Sequence, residues 1–194
     1  EMDCDLVEVT AHMGARPSHA LWQGKVYSIS GKSKKYPKLS TATGYGTGGG
    51  LKGWNCRHDF YPFFEGISER ANLPVDVTEN NRQYELSQKQ RAMERSIRAT
   101  KRRLAAYDGA LAETDDEVLK RKLQNQFERH SAILKTKEKR LSEFCDKNGL
   151  YPQNDRVRVA GFGKSVSQKA VHGNKIYQLK LLDKSIIDGT IDNK

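Results

Sequence analysis

Gln90-Arg91-Ala92-Met93-Glu94-Arg95-Ser96-Ile97-Arg98-Ala99-Thr100-Lys101-Arg102-Arg103-Leu104 is the stretch on which the fold turns. Met93, Ile97 and Leu104, with Leu86 before them and Leu111 after, fall on one narrow stripe at a helical step of about 100° per residue. Arg91, Arg95, Arg98 and Arg102 fall on the opposite stripe. This spacing predicts a long amphipathic helix, weakened near its end by Asp108 and Gly109. Thr114 and Glu117 make a Thr-x-x-Glu capping box that restarts a helix. The second helix carries Leu119, Leu123, Phe127, Leu134, Leu141 and Phe144 on its inner face, and Asn148, Gly149 and Pro152 stop it. Two such helices on a short link predict an antiparallel hairpin over residues 78–150. His130 and Lys137 also fall on the inner face, so an assembly contact along the hairpin is expected.

Before the hairpin, residues 1–77 read as a β-rich core segment. Leu6 to Thr10 and Lys25 to Ile29 read as short strands, the second ending at Gly31. Ala15 to Trp22 reads as a turn or short helix. Residues 32–53 are rich in Lys, Ser, Thr and Gly, which predicts a flexible connector. Trp54 to Phe64 is the third candidate strand, limited by Pro62. After the hairpin, residues 151–194 read as a mixed segment that completes the core. Arg156 to Phe162 suits a strand, and Lys175 to Leu182 suits a strand or a short helix. The fold class expected is therefore α+β: a small mixed or antiparallel sheet, drawn from the first and third regions, with a protruding antiparallel helical hairpin.

The chain has 194 residues, 36% hydrophobic and 30% charged, which suits one medium domain or a domain with an appendage. Lys and Arg exceed Asp and Glu by 34 to 24, a net charge of +10 that favours polyanionic partners. Cys4, Cys56 and Cys145 are odd in number and widely spaced, so no disulfide framework is legible and a reducing compartment is the simpler reading. No apolar run is long enough to span a membrane, and no signal peptide is visible. An apolar stretch begins almost at once at Leu6, so a fragment of a longer protein is expected.

Three of the five histidines stand in the first region with Arg16 and the run Asn55-Cys56-Arg57-His58. The first reading of His12, His19, Cys56 and His58 is structural, with imidazoles bonded to backbone and Cys56 in the core. A second reading is a nuclease or transferase site. His12, His19 and His58 would act as acid and base, with Arg16 and Arg57 steadying a phosphate, as in metal-independent RNA cleavage. A third reading is zinc on His12, His19, Cys56 and His58. The donor types fit, but His-x6-His and Cys-x-His are not zinc-finger spacings, so no cofactor is expected. The glycine run from Gly44 to Gly53 lacks Gly-x4-Gly-Lys-Ser/Thr, which argues against a phosphate cradle. Arg91, Arg95, Arg98 and Arg102 are the candidate nucleic-acid contacts, since Glu85 and Glu94 do not offset the helix's cations.

The block His12…Arg16-Pro17-Ser18-His19…Trp22-Gln23-Gly24-Lys25-Val26-Tyr27, followed by Gly53-Trp54-Asn55-Cys56-Arg57-His58…Pro62-Phe63, resembles the phage Mu F-like head-morphogenesis domain. The branch it resembles most is the second type of phage minor capsid protein. Gln90-Arg91, Glu94-Arg95, Ile97-Arg98, Lys101-Arg102 and Arg156 to Gly163 also look like that branch. The resemblance implies a virion structural protein of the phage head, made in the bacterial host cytoplasm. It implies portal or other head proteins as partners, and sequence-independent contact with nucleic acid, without a membrane. It also implies an N-terminal part not seen here. Relatives carry nuclease-like toxin domains, which keeps the ribonuclease-type effector as the alternative. His58 stands where many relatives have a second Cys, which counts against a thiolate-pair metal site.

Overall fold

A computed structural model describes residues 4–191, with side chains through residue 185. The chain divides into two compact units, Glu1–Gln88 and Lys89–Lys194, and each is described by itself.

In the first unit, β1 (Leu6–Val9) is the centre of a three-stranded antiparallel sheet. On one side lies β2 (Val26–Ser28), with Val7 opposite Tyr27, and on the other β3 (Phe60–Pro62), with Val9 opposite Phe60. Side chains of a strand alternate between faces. Val7 and Val9 therefore share one face, where they bury with Trp22, Tyr27, Leu39 and Leu51. Glu8 points to the other face and is also buried. That carboxylate is satisfied by Arg70 Nε at 2.7 Å and by the backbone N–H groups of Ala71 and Asn72, both at 3.1 Å. Segment 70–72 thus covers the second face with an ion pair and two backbone bonds. Pro62 closes β3 on a sheet edge, where its missing N–H costs no ladder bond.

The third strand is shorter than its sequence suggested. Residues 54–59 are not in it, because Trp54 N and Cys56 N bond back to Gly48 O and Gly53 O in turns. The stretch 32–53 is not a loose connector either. It holds α2 (Leu39–Thr43), which ends on Gly44 in the left-handed conformation at φ 66°. Leu39 and Leu51 anchor the stretch in the core at 1% exposure each. The turns around them close on one another through Thr47 N to Gly44 O at 3.0 Å, Leu51 N to Thr43 O at 3.0 Å and Trp54 N to Gly48 O at 2.7 Å. A Cβ at Gly50 would stand 2.0 Å from Gly44 O, so glycine is there for close approach of backbone to backbone. Between β1 and β2, α1 (Pro17–Ala20) starts with proline in its first turn.

α3 (Val77–Glu113) begins in the first unit and runs on into the second. In the second unit it is joined by α4 (Glu117–Asn148) and α5 (Lys164–Ile191). α3 and α4 form the expected antiparallel hairpin. Lys101 pairs with Glu138 at 3.2 Å, Lys137 Nζ donates to Thr100 Oγ1 at 2.9 Å, and Tyr107 meets the His130 ring at 5.3 Å. Ile97, Leu104, Phe127, Leu134, Leu141 and Cys145 make its core. Lys137 is thus an inner-face cation satisfied by α3, with burial lowering its pKa first and Arg103 adding to the shift. Leu119 is 42% exposed because the pairing register carries it past the end of α3. The cap of α4 is Asp116 rather than Thr114. Its carboxylate accepts from Val118 N at 2.8 Å and Leu119 N at 3.1 Å. Gly149, at φ 62°, ends α4 where the sequence placed the stop.

No strand forms after the hairpin among the described residues. Asn154–Val157 is a single 3-10 turn, and Lys175 to Leu182 lies inside α5. The sheet therefore draws all three strands from the first region. α5 packs on α4 through the small residues Val166, Ala170 and Gly173. A Cβ at Gly173 would lie 3.1 Å from Ser131 Oγ and 3.3 Å from Phe127 Cδ1. The axes meet closely because nothing larger than a hydrogen intervenes.

Candidate functional site

The first unit gathers His12, His19, Cys56 and His58 into one cluster beneath the sheet-edge turns. His12 follows β1, His19 lies in α1, and Cys56 and His58 precede β3. The His12 and His58 rings stack at 4.2 Å, and His19 meets His58 edge-on at 5.3 Å. Trp22 closes one side, 4.5 Å from His19 and 4.8 Å from His58. Cys56 Sγ lies 3.6 Å from His58 Nδ1 and 3.8 Å from His19 Nδ1.

Two fixed oxygens, Gly49 O and Gln23 Oε1, set the tautomers of His19 and His58. Asn80 is oriented by Ala15, whose N–H donates to Asn80 Oδ1 at 3.0 Å and whose carbonyl accepts from Asn80 Nδ2 at 2.8 Å. Asn80 Oδ1 then takes the amide of Gln23 at 3.4 Å. Gln23 Oε1 is left to accept from His12 N at 3.0 Å and from His58 Nε2 at 2.9 Å. His58 must therefore carry its hydrogen on Nε2, leaving a lone pair on Nδ1. His19 follows the same rule: Nε2 donates to the Gly49 carbonyl at 3.0 Å, so its Nδ1 also holds a lone pair. Both lone pairs face one sulfur. A thiol has one hydrogen and can satisfy only one of them. The Nε2 atom of His12 is buried and has no partner.

Burial first, then the neighbouring His12, His19 and Arg16, push the pKa of His58 down to about 3. His19 is also lowered, by burial first, against the opposing pull of the Gly49 carbonyl. Both imidazoles are neutral near pH 7. An acid–base pair for RNA cleavage needs one imidazolium and an open approach. His19 and His58 are 2% and 4% exposed. Arg16 Nη2 donates to the Trp54 carbonyl at 2.8 Å, and Arg57 is exposed, one residue before the buried His58. The histidines converge as the nuclease reading required, but His19 and His58 are shut off from solvent and the Arg16 guanidinium beside them is engaged by the Trp54 carbonyl.

Sequence reasoning missed Gln23 and Asn80. Both are fully buried, and both looked like ordinary polar residues of a turn and a helix surface. Gly49 was also missed, because its contribution is a carbonyl rather than a side chain.

The four arginines of the second candidate set lie on α3 in the second unit. Arg95 and Arg102 are exposed, and Arg91 and Arg98 are half-buried. The Arg98 guanidinium donates to the Arg156 carbonyl. Glu94 does not sit among them on the outer face. It is 1% exposed, with Arg156 Nη1 at 3.8 Å. None of Arg91, Arg95, Arg102 or the neighbouring Arg103 has an ion-pair partner among the described residues. No described helix is long and apolar enough to cross a membrane.

A family model described as "Phage minor capsid protein 2" matches residues 1–146, which include the histidine cluster and the α3 arginines. A structural protein of Lactococcus phage LL-H is 36% identical over 107 residues, 53% of this chain and 29% of that relative. A structural protein of Lactococcus phage mv4 is 39% identical over 74 residues, 38% of this chain and 59% of that relative. The matched stretches span less than two thirds of either relative's length. No solved structure matches.

Proposed function

The chain belongs to the phage minor capsid protein 2 family, and on that premise we propose that it serves head morphogenesis by contacting nucleic acid through the outer face of α3. The observation that carries this reading is the unpaired cationic stripe. Arg95, Arg102 and Arg103 are exposed on one helix, and Glu94, next to Arg95 in sequence, is buried away from that face. Arginines held on a rigid rod suit a phosphate backbone, which presents charge without sequence information. In the particle, that polyanion is the packaged genome. The portal and other head proteins are the protein partners proposed for the remaining surface.

The test is binding of the chain to double-stranded DNA of unrelated sequences across a salt series. Binding should be indifferent to sequence and fall steeply with salt. The double variant Arg95→Ala/Arg102→Ala should flatten the log–log salt slope by about 2, roughly one for each phosphate that is no longer neutralised. A chain that ignores DNA at low salt, or a slope unchanged by the double variant, removes the nucleic-acid role and leaves only protein partners for this face.

A further inference from the structure

We propose that His19, Cys56 and His58 form a zinc site, with His12 closing the fourth position. One donor atom from each of the three lies within 4.8 Å of the other two. The finer geometry is more telling. Zinc bonds of about 2.0–2.1 Å to nitrogen and about 2.3 Å to sulfur, at the tetrahedral angle, place a ligand nitrogen and sulfur about 3.6 Å apart. The two Nδ1 to Sγ separations are 3.6 and 3.8 Å. These separations match the edges of a zinc tetrahedron.

The proton arrangement agrees. Each imidazole gives its Nε2–H to a fixed oxygen, Gly49 O for His19 and Gln23 Oε1 for His58, and turns its Nδ1 lone pair inward. Outer oxygens of this kind orient metal-bound histidines. The side chain that orients His58, Gln23, is itself fully buried and held by Asn80. Two inward lone pairs around one thiol leave at least one unsatisfied. Zinc with a thiolate satisfies both. On binding, the Cys56 thiol loses its proton to solvent, the sulfur bonds to zinc, and the imidazoles keep their Nε2 hydrogens. His12 lies outside that three-residue donor group, and its ring would have to turn toward the metal to take the remaining position. Its Nε2 is buried without a partner, and its ring lies against that of His58. The site is closed and structural. It would tie together three segments, around residues 12–19, 49 and 56–58, that share little regular secondary structure.

The test uses the whole chain, reconstituted with zinc, dialysed and analysed for metal, and separately loaded with cobalt. One zinc per chain should be retained. Cobalt should give an intense near-ultraviolet thiolate band together with the visible bands of a tetrahedral ion. Cys56→Ser should abolish both the retained zinc and the thiolate band, whereas Cys4→Ser and Cys145→Ser should leave both intact. His12→Ala should weaken zinc roughly tenfold or more, and Gln23→Leu by about 10–100-fold. A chain that retains no zinc, or a Cys56→Ser variant that binds it as well as the parent, overturns the site. Unchanged affinity in His12→Ala overturns the place of His12. Should Cys56→Ser fail to fold, the cobalt spectrum of the unaltered chain decides alone, for or against, by its thiolate band.

Discussion

Oε1 of Gln23 accepts from Nε2 of His58 at 2.9 Å, and through that bond a fully buried amide decides which nitrogen of the imidazole carries the proton. The same oxygen takes the backbone N–H of His12. Gln23 is therefore the hinge of a polar network enclosed by Trp22 on one side and Asn80 on another.

Gln23→Leu keeps the volume and removes every one of these bonds. His58 Nε2–H, His12 N–H and one lone pair of Asn80 Oδ1 would be left without a buried partner. Asn80 Oδ1 keeps the Ala15 N–H, so two donors are orphaned; at about 1–3 kcal/mol for each, a loss of roughly 2–6 kcal/mol is expected in urea unfolding. A loss under about 0.5 kcal/mol would show that the groups find other partners and that the network is not structural.

Glu8 should shape the acid limb of stability. Burial alone would raise its pKa, but the Arg70 side chain and the N–H groups of Asn72 and Ala71 outweigh it and hold the carboxyl below its ordinary 4.5. The unfolded chain thus takes up the proton before the folded one. The contribution of Glu8 is fully present above about pH 4.5 and is lost as pH falls through the lower, folded value. Glu8→Gln should flatten the decline of the urea midpoint below pH 4.5. Parallel declines in the parent and the variant would exclude Glu8 as a source of acid sensitivity.

Asp116 rather than Thr114 starts α4. Asp116→Ala removes two bonds to helix N–H groups and should cost about 0.5–2 kcal/mol, whereas Thr114→Ala should cost markedly less. Thermal melts of the two variants, compared side by side, check this. Equal losses would restore the capping box read from the sequence.

Gly173→Leu should part α5 from α4. Its first added carbon already meets Ser131 Oγ at 3.1 Å and Phe127 Cδ1 at 3.3 Å, so both neighbours must give way before the rest of the side chain is placed. Overpacking of this kind costs about 1–3 kcal/mol despite the better helix propensity of leucine. A melting temperature at or above that of the parent would mean that the two helices do not pack as closely as the structure has them.

How much of this was readable in advance follows from the range of each signal. β1 and β2 were legible because Val7 and Val9 alternate with Glu8, and Val26 and Tyr27 are strand formers in one short run. The α3–α4 hairpin was legible from Ile97, Leu104, Phe127, Leu134 and Leu141. α5 was not, because its packed face is Val166, Ala170 and Gly173, and a stripe of small residues has no hydrophobic period to detect. His12, His19, Cys56 and His58 stood out as residue types. Their spacing argued against a shared metal because ligand-spacing rules describe pairs on one turn or one knuckle. Here three segments converge through tertiary packing, and the residues that orient them, Gln23, Asn80 and the carbonyl of Gly49, carry no mark in one dimension.

The turns between Gly44 and Gly53 have a practical consequence for anyone engineering this chain. By composition they are the obvious place for an epitope, a fluorophore handle or a displayed peptide. Yet the Gly49 carbonyl holds His19, the Gly48 carbonyl holds Trp54, and Leu51 is sunk in the core. A graft there would dislodge an imidazole some thirty residues upstream. The exposed link at Glu113 to Asp116, ahead of α4, disturbs nothing beyond a helix cap and is the better port.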